Sequence, residues 1–204
     1  MSRRLLDYGS AAVLLECADL DEAIGLLAPV RKHPKIIEVI PGARTLLLRL
    51  RAPLTETDRH NLLSLTATPP PAIHVAAPIV IKVDYSGPDL DTVARHLGCT
   101  AEDVVALHTG QLWTVGFCGF APGFAYLRGE HDRLRAPRLD SPRTTVPAGA
   151  VGLADQWSGI YPRSGPGGWQ LIGRTDATLW NLDHDPPALL QPGGRVRFVA
   201  ATSR

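Results

Sequence analysis

The sequence lacks the features that mark membrane, secreted and nucleic-acid-binding proteins. No apolar run approaches the ~18 residues of a membrane span, and the N-terminal segment MSRRLLDYGS has no apolar signal-peptide core. The formal net charge is only +1 with both signs interspersed, so no basic surface for nucleic acid is expected. The three cysteines, Cys17, Cys99 and Cys118, form no CxxC motif, which favours buried free thiols in a reducing compartment. We therefore expect a cytoplasmic protein without a membrane or nucleic-acid partner.

Standard catalytic motifs are also absent. The chain has no GxxxxGK(S/T) phosphate loop, no GxSxG elbow, no HExxH motif and no Cys/His spacing suitable for zinc, so we expect no metal site. Lysine is scarce too, because only Lys32, Lys35 and Lys82 accompany 18 Arg. The arginine excess is therefore partly a property of the whole chain.

The first 77 residues predict a small α+β domain. Candidate strands at 4–8 and 11–16 precede an amphipathic helix at 20–31 that Asp19 caps, and strands at 36–40 and 45–50 precede a second helix from Thr55 to about Thr66. This ββα order, repeated once, predicts a sheet with both helices on one face. The prolines at 69–71 favour a boundary, which gives domains at 1–77 and 78–204.

The second domain reads as rich in β-strands. A strand at 78–85 and helices at 88–97 and 101–108 precede many short strands, the last at 195–200. Because turns are frequent and no βαβ rhythm appears, the pattern predicts a closed or nearly closed β-barrel.

The stretch from Phe117 to Arg174 has a composition of its own. Residues 116–175 contain 11 Gly and 6 Pro, a density that specifies constrained turns between short strands. All seven Lys or Arg residues in the stretch are Arg, the side chain suited to forked hydrogen bonds with carboxylates or phosphates. We expect an ordered surface that binds a small anion or an acidic partner. Its aromatic side chains are interpreted as core and rim packing: Phe120, Phe124, Tyr126, Trp157, Tyr161 and Trp169.

Several polar residues are candidates for chemistry, each with a structural alternative. His108 ends a helix before this stretch and is a candidate general acid or base, or else a residue that complements the helix C-terminus. Arg143, Arg163 and Arg174 lie beside turns, where they could bind a substrate carboxylate or form salt bridges with Asp140, Asp155 or Asp176. Cys118 and the serines at 141, 158 and 164 are weaker candidates, as is Gly165-Pro166-Gly167-Gly168 as a phosphate loop, because no helix is predicted after it.

Three ordered segments resemble a known family. They are GFAPGFAYL at 119–127, PR followed by SPRTTVPAGAVGLA within 137–154, and SGIYPRSGPGGWQLIGRT at 158–175, extended upstream by DYSGPDLDTVA at 84–94 and LHT at 107–109. They are similar to the signature of the 5-oxoprolinase B-subunit family, also called allophanate hydrolase subunit 1, carboxyltransferase-domain subdomain C/D or the KipI-type kinase inhibitors. The resemblance covers essentially the whole chain.

The resemblance implies a ferredoxin-like N-terminal domain, a cyclophilin-like β-barrel, and ATP-dependent hydrolysis of the lactam 5-oxoproline to glutamate. It also implies two partners, the A subunit and a homologous C subunit of the enzyme, which we expect on separate chains. ATP is expected in the complex, and this chain alone need not bind it. In this interpretation His108 and Arg143 are catalytic, and Gly165, Gly167 and Gly168 contact the nucleotide. The expected substrate contacts are Phe120, Pro122, Gly123, Arg163, Ser164 and Arg174.

Two other functions remain open at this point. One is a regulatory module that inhibits a sensor histidine kinase, with the Gly/Pro loops as a docking surface. The other is a role related to allophanate hydrolase or urea carboxylase, which is less favoured because the chain has no amidase signature and no biotin-attachment segment.

Overall fold

The computed structural model describes residues 3–68 and 77–201. The chain divides into two compact units, Met1–His74 and Val75–Arg204. The prolines at 69–71, which suggested a domain boundary, lie outside the described residues. No helix in the described ranges is long and apolar enough to cross a membrane.

The first unit is an α+β layer with one core. Its elements are β1 (Arg4–Asp7), β2 (Ala12–Glu16), α1 (Leu20–Arg31), β3 (Ile36–Pro41), β4 (Thr45–Leu50) and α2 (Glu56–Ser64). The strands form an antiparallel sheet in the order β1-β2-β4-β3. The predicted ββα order, repeated once, is confirmed.

Local capping explains where both helices of this unit begin. The Asp19 carboxylate accepts the backbone N–H of Glu22, and Thr55 with Asp58 forms a reciprocal capping box. Leu26 from α1 and Leu62 from α2 are both buried in the cluster that contains Leu46 and Leu48 of β4. The two helices therefore share one core with the sheet, as the apolar spacing predicted.

The second unit is built on a nearly closed barrel. Its first half contains β5 (Ile79–Val83), α3 (Leu90–Leu97), α4 (Ala101–Thr109), β6 (Trp113–Cys118), β7 (Ala125–Gly129) and a short 3-10 helix at Asp132–Leu134. Its second half contains β8 (Arg143–Val146), β9 (Ala150–Ala154), β10 (Trp157–Ile160), β11 (Gly165–Gly167), β12 (Gln170–Arg174) and β13 (Arg195–Ala200). Seven strands form one mixed sheet in the order β12-β9-β10-β7-β6-β13-β5, and β8 pairs separately with β11.

The two edges of this sheet meet at a seam. Directly after β5, Asp84 exchanges backbone hydrogen bonds with Arg174 of β12, each at 2.8 Å. The chain then stays beside β12, because the N–H of Gly87 reaches Ile172 and that of Asp89 reaches Leu171. This pairing nearly closes the sheet, and the predicted barrel is confirmed.

The seam requires glycine on both sides. A Cβ atom at Gly87 would lie 2.3 Å from the carbonyl carbon of Ile172, and one at Gly173 would lie 2.5 Å from the carbonyl oxygen of Asp84. These neighbours are backbone atoms, which cannot rotate away as a side chain can. Glycine at these positions is therefore needed for close approach of the two strands.

We predict that Gly87→Ala will lower the free energy of unfolding of the second unit by about 1–3 kcal/mol, because the added methyl group overpacks the seam. All four tryptophans follow residue 112, so tryptophan fluorescence during denaturant unfolding reports on this unit alone. The matched control is Gly119→Ala, where a Cβ meets nothing within 4 Å. Equal midpoints for the two variants would contradict the close-approach role.

Candidate functional site

The Gly/Pro-rich stretch folds around an aromatic cavity of ≈ 270 Å³. We call it the aromatic cavity, and its walls combine six rings with Arg138, Asp155 and the Gly167-Gly168 backbone; the rings are Phe120, Phe124, Tyr126, Trp157, Tyr161 and Trp169. Two of the rings, Phe120 and Phe124, lie in the loop between β6 and β7, and the others lie on β7, on or directly after β10, and directly before β12. The rings interpreted as packing residues are thus also the walls of a cavity.

The rings hold one another in fixed orientations. Phe124 meets Trp169 and Tyr161 edge to face, each with ring centroids 5.4 Å apart, and Tyr126 meets Trp169 at 5.5 Å. Behind them, Phe117 stacks on Tyr126 at 4.2 Å. Edge-to-face pairs of this kind are favourable beyond the area they bury. The cavity walls are therefore preorganised.

The loop between β6 and β7 carries one strained residue at the mouth of the cavity. Phe120 has φ of 70° and its side chain is 60% exposed, although bulky residues rarely adopt positive φ. Short-range hydrogen bonds maintain the loop, since Ala121 donates to Gly119 and Phe124 donates to Ala121. Strain of about 1–3 kcal/mol at an exposed ring is more typical of a binding site than of a packing position.

One cation of the cavity wall has no ionic partner among the described residues. Within residues 3–68 and 77–201, no hydrogen bond or ion pair of the Arg138 side chain is found. Its guanidinium lies against Gly168, where a Cβ would come within 3.4 Å of a terminal nitrogen. Asp155, the carboxylate in the wall, is paired with Arg135 at 2.9 Å. The wall therefore has an excess of positive charge.

Two tyrosines complete the polar part of the cavity. Burial raises the pKa of both Tyr126 and Tyr161, and the nearby Arg138 charge acts on both in the opposite direction. The backbone N–H of Trp169 also acts to lower the pKa of Tyr161, by more than Arg138 does. Both phenols are thus protonated donors at neutral pH, close to an arginine.

His108 lies inside the barrel and does not face the loops. Its side chain is fully buried, with Nδ1 2.7 Å from the Tyr85 hydroxyl and Nε2 2.9 Å from the Ser158 hydroxyl. Its ring also stacks on Phe198 at 4.3 Å. Burial lowers the pKa of His108 to about 3, so the ring is neutral near pH 7. This environment favours a structural role, and the catalytic role stays a prediction.

Arg143 forms a salt bridge, as the structural alternative to substrate binding predicted. Its partner, Asp89, is not one of the Asp residues that the sequence suggested. Its guanidinium pairs with Asp89 at 2.7 Å, and the second oxygen of Asp89 accepts the backbone N–H of Leu171 at 2.6 Å. The Asp89 carboxylate therefore joins the start of α3, the start of β8 and β12. The catalytic role of Arg143 stays a prediction.

The other predicted contact residues are dispersed. Phe120, Gly167 and Gly168 line the aromatic cavity, whereas Arg163 and Ser164 are exposed and do not. Arg174 lines an open cleft of ≈ 600 Å³ at the barrel seam and pairs with Asp176 at 3.3 Å, a surface contact of little energetic weight. Pro122 is exposed, and Gly123 is buried with φ of 83°. The structure thus brings together only three of the predicted residues.

The glycines at 165–168 do not fit a phosphate-binding loop. Gly165–Gly167 forms β11, which pairs with β8, and the next element is β12, so no helix N-terminus follows. A Cβ at Gly167 would lie 2.3 Å from the Tyr161 hydroxyl, so glycine here makes room for the ring. Nucleotide binding by these residues stays a prediction that their geometry does not favour.

Neither metal nor thiol chemistry has support in the described ranges. No group of His, Cys, Asp and Glu there could hold a metal ion. The three cysteines are free; Cys17 is buried, and Cys99 and Cys118 are partly buried. Burial raises the pKa of the Cys118 thiol, which opposes a nucleophilic role.

Arg138 is the site residue that the sequence interpretation missed. It directly follows Pro137, so it satisfies the same criterion, an arginine beside a turn residue, that selected Arg143 and Arg163. What separates these arginines is their surroundings in the fold: Arg143 has a carboxylate partner, Arg163 is outside the cavity, and Arg138 is in its wall. Sequence spacing carries no such information.

These features define a two-unit protein in which a nearly closed barrel carries a preorganised aromatic cavity, with an arginine in its wall that has no ionic partner in the described part of the chain. The chain belongs to the family described as carboxyltransferase domain, subdomain C and D, whose family model matches residues 3–190. The resemblance noted in the signature segments is thereby confirmed.

Named relatives agree with this membership. The chain is 40% identical to the 5-oxoprolinase B subunit of Escherichia coli O157:H7 over 172 residues, which are 81% of this chain and 78% of the relative. It is 46% identical to the 5-oxoprolinase B subunit of Bacillus subtilis (strain 168) over 129 residues, 62% of this chain and 54% of the relative. The crystal structure of TTHA0988 superposes with a TM-score of 0.75 at 34% identity, over 95% of this chain and 40% of that chain.

We predict that His108 makes the second unit less stable in acid. The pKa of His108 is about 3 in the folded protein, below the ordinary 6.5. The stabilisation that the neutral ring gives the folded unit is therefore complete above pH 6.5 and is lost progressively as the pH falls toward 3. Between pH 7 and pH 5 the wild type should lose about 2 kcal/mol more unfolding free energy than His108→Gln. Denaturant titrations at both pH values measure this, and parallel losses in the two proteins would refute it.

We predict that Arg143→Met will lower the unfolding free energy of the second unit by about 2 kcal/mol, because it removes a charged partner of the buried Asp89 carboxylate. Arg163→Met serves as the matched control and should stay within about 0.5 kcal/mol of the wild type. Adding Asp89→Asn to Arg143→Met should cost less than the sum of the single changes. Strict additivity in this cycle would show that the two side chains are not coupled.

Proposed function

We propose that this chain is the B subunit of an ATP-dependent 5-oxoprolinase complex, which hydrolyses the lactam 5-oxoproline to glutamate together with the A subunit and a homologous C subunit. The observation that carries the proposal is the set of relatives named as 5-oxoprolinase B subunits, at 40–46% identity in three bacteria. The longest of these matches covers 78% of the relative, whereas the other two cover 54% and 59%. No observation favours the kinase-inhibitor or allophanate alternatives over it.

The chemistry suits a divided enzyme. A five-membered lactam resists direct hydrolysis, so activation at its carbonyl oxygen is needed, and charged or hydrogen-bonding groups must stabilise the charge that develops there. This chain provides a cavity with phenol donors and with an arginine that no described residue pairs with, but its glycines at 165–168 do not fit a phosphate loop. In this proposal the chain contributes to substrate binding, and ATP is handled elsewhere in the complex.

The proposal includes finer assignments of fold and location. The first unit is taken as a ferredoxin-like domain with a permuted start, because β2-α1-β3-β4-α2 follows the βαββα succession and β1 occupies the place of the closing strand beside β2. The second unit is taken as a cyclophilin-like barrel, with the domains divided at 77/78. We place the complex in the cytoplasm.

The test is reconstitution from purified components. This chain, mixed with the A subunit and a separately expressed C subunit from the same source, should release phosphate from ATP only when 5-oxoproline is present, with glutamate as product. Omitting any one of the three chains should reduce the 5-oxoproline-dependent rate to background. If a complex shown by sizing to contain all three chains has no 5-oxoproline-dependent turnover, the proposed function is wrong.

A further inference from the structure

We propose that the aromatic cavity is a binding site for a small, flat organic carboxylate, with Arg138 as the group that pairs with the carboxylate. The site does not depend on ATP or on a partner chain. Only the choice of 5-oxoproline as the probe rests on the proposed function.

The charge balance of the wall selects an anion. Arg138 has no ionic partner in the part of the chain that the structure describes, whereas the only wall carboxylate, Asp155, is already paired with Arg135. An arginine fork beside low-polarity rings binds a carboxylate in two parallel hydrogen bonds, which lysine cannot do. Arg138 is exposed, so a ligand carboxylate in the cavity would meet a guanidinium that no carboxylate of the described residues occupies.

A second donor lies on the same wall. In residues 3–68 and 77–201 no hydrogen bond of the Tyr126 hydroxyl is found, so the phenol is free to donate to a ligand oxygen. Arg138 is close enough to act electrostatically on this hydroxyl. A carboxylate or a ring carbonyl of the ligand thus has two convergent donors.

Size and shape restrict the ligand further. The volume of ≈ 270 Å³ falls just below the ~300–1,000 Å³ of pockets for drug-sized ligands. Trp157 and Trp169 are nearly buried and held by ring contacts, so the walls cannot open by simple rotation. A compact ring fits between such walls.

A nucleotide is a poor alternative for this cavity. A triphosphate carries several negative charges and is normally held by backbone N–H groups, lysine and a metal ion together. Here one arginine is the unpaired cation of the wall, and no metal-binding group occurs in the described ranges. The wall therefore matches one carboxylate rather than a chain of phosphates.

The experiment is a titration of the full chain, without partners, followed by tryptophan fluorescence. Trp157 and Trp169 line the cavity, whereas Trp113 is buried in the barrel core and Trp180 is outside the cavity. Saturable quenching by 5-oxoproline is expected, and Trp169→Phe should reduce the amplitude. 2-Pyrrolidinone has the same ring without the carboxylate and should bind about 10-fold to 100-fold more weakly.

Paired arginine variants locate the carboxylate. Arg138→Met should weaken 5-oxoproline binding by about 10-fold to 100-fold and leave 2-pyrrolidinone binding unchanged. Arg138→Lys should bind 5-oxoproline with an affinity between those of the wild type and Arg138→Met. Arg163→Met is the matched control, because Arg163 is also exposed and unpaired within the described ranges but does not line the cavity. Tyr126→Phe should give a smaller loss than Arg138→Met. Neither arginine variant should alter the unfolding midpoint.

The outcomes separate this site from the proposed function. The site is overturned, even if the reconstituted complex is active, by either of two results. One is an affinity of Arg138→Met for 5-oxoproline equal to that of the wild type, and the other is equal wild-type affinity for 5-oxoproline and 2-pyrrolidinone. Arg138-dependent binding of 5-oxoproline by a chain whose complete complex shows no turnover supports the site and overturns the function. Failure of 5-oxoproline and of other small ring carboxylates alike to quench fluorescence also overturns the site.

Discussion

The barrel depends on the seam at which the segment after β5 meets β12. Backbone hydrogen bonds between Asp84 and Arg174 join two edges that would otherwise present unpaired N–H and C=O groups. The approach is close enough that Gly87 and Gly173 are both needed, since a side chain on either would collide with backbone atoms across the seam. Closure of the barrel thus requires both the backbone hydrogen bonds and the absence of side chains at Gly87 and Gly173.

The same seam positions the functional surface. The Asp89 carboxylate, two residues after Gly87, accepts the N–H of Leu171 and pairs with Arg143 at the start of β8. β8 in turn pairs with β11, and the chain from β11 into β12 contributes Gly167, Gly168 and Trp169 to the aromatic cavity. A single carboxylate therefore links barrel closure to the cavity wall.

The cavity also shows how a chain with few aromatic residues uses them. Only 6% of the residues are aromatic, yet six of these rings line one cavity and a seventh, Phe117, stacks behind it. Edge-to-face packing makes the wall rigid, and glycine at 167 leaves space for the Tyr161 ring. Close packing thus explains several glycines of this stretch, among them Gly149, Gly159, Gly167 and Gly173.

Local signals in the sequence were enough to predict both helices of the first unit and several strands, and the signature segments were enough to indicate the family. Helix α1 and strands β4 and β13 have the bounds that capping and apolar periodicity predicted, because those signals are local. The side chains that form the site, in contrast, were decided by tertiary contacts alone. Three arginines beside turns are indistinguishable in sequence, and their separation into a structural tie, a surface residue and a cavity residue depends on contacts such as Arg143 with Asp89, 54 residues apart. His108 likewise became a core residue through Ser158, 50 residues away. Long-range pairing sets the charge and burial of each group, and no local pattern records it.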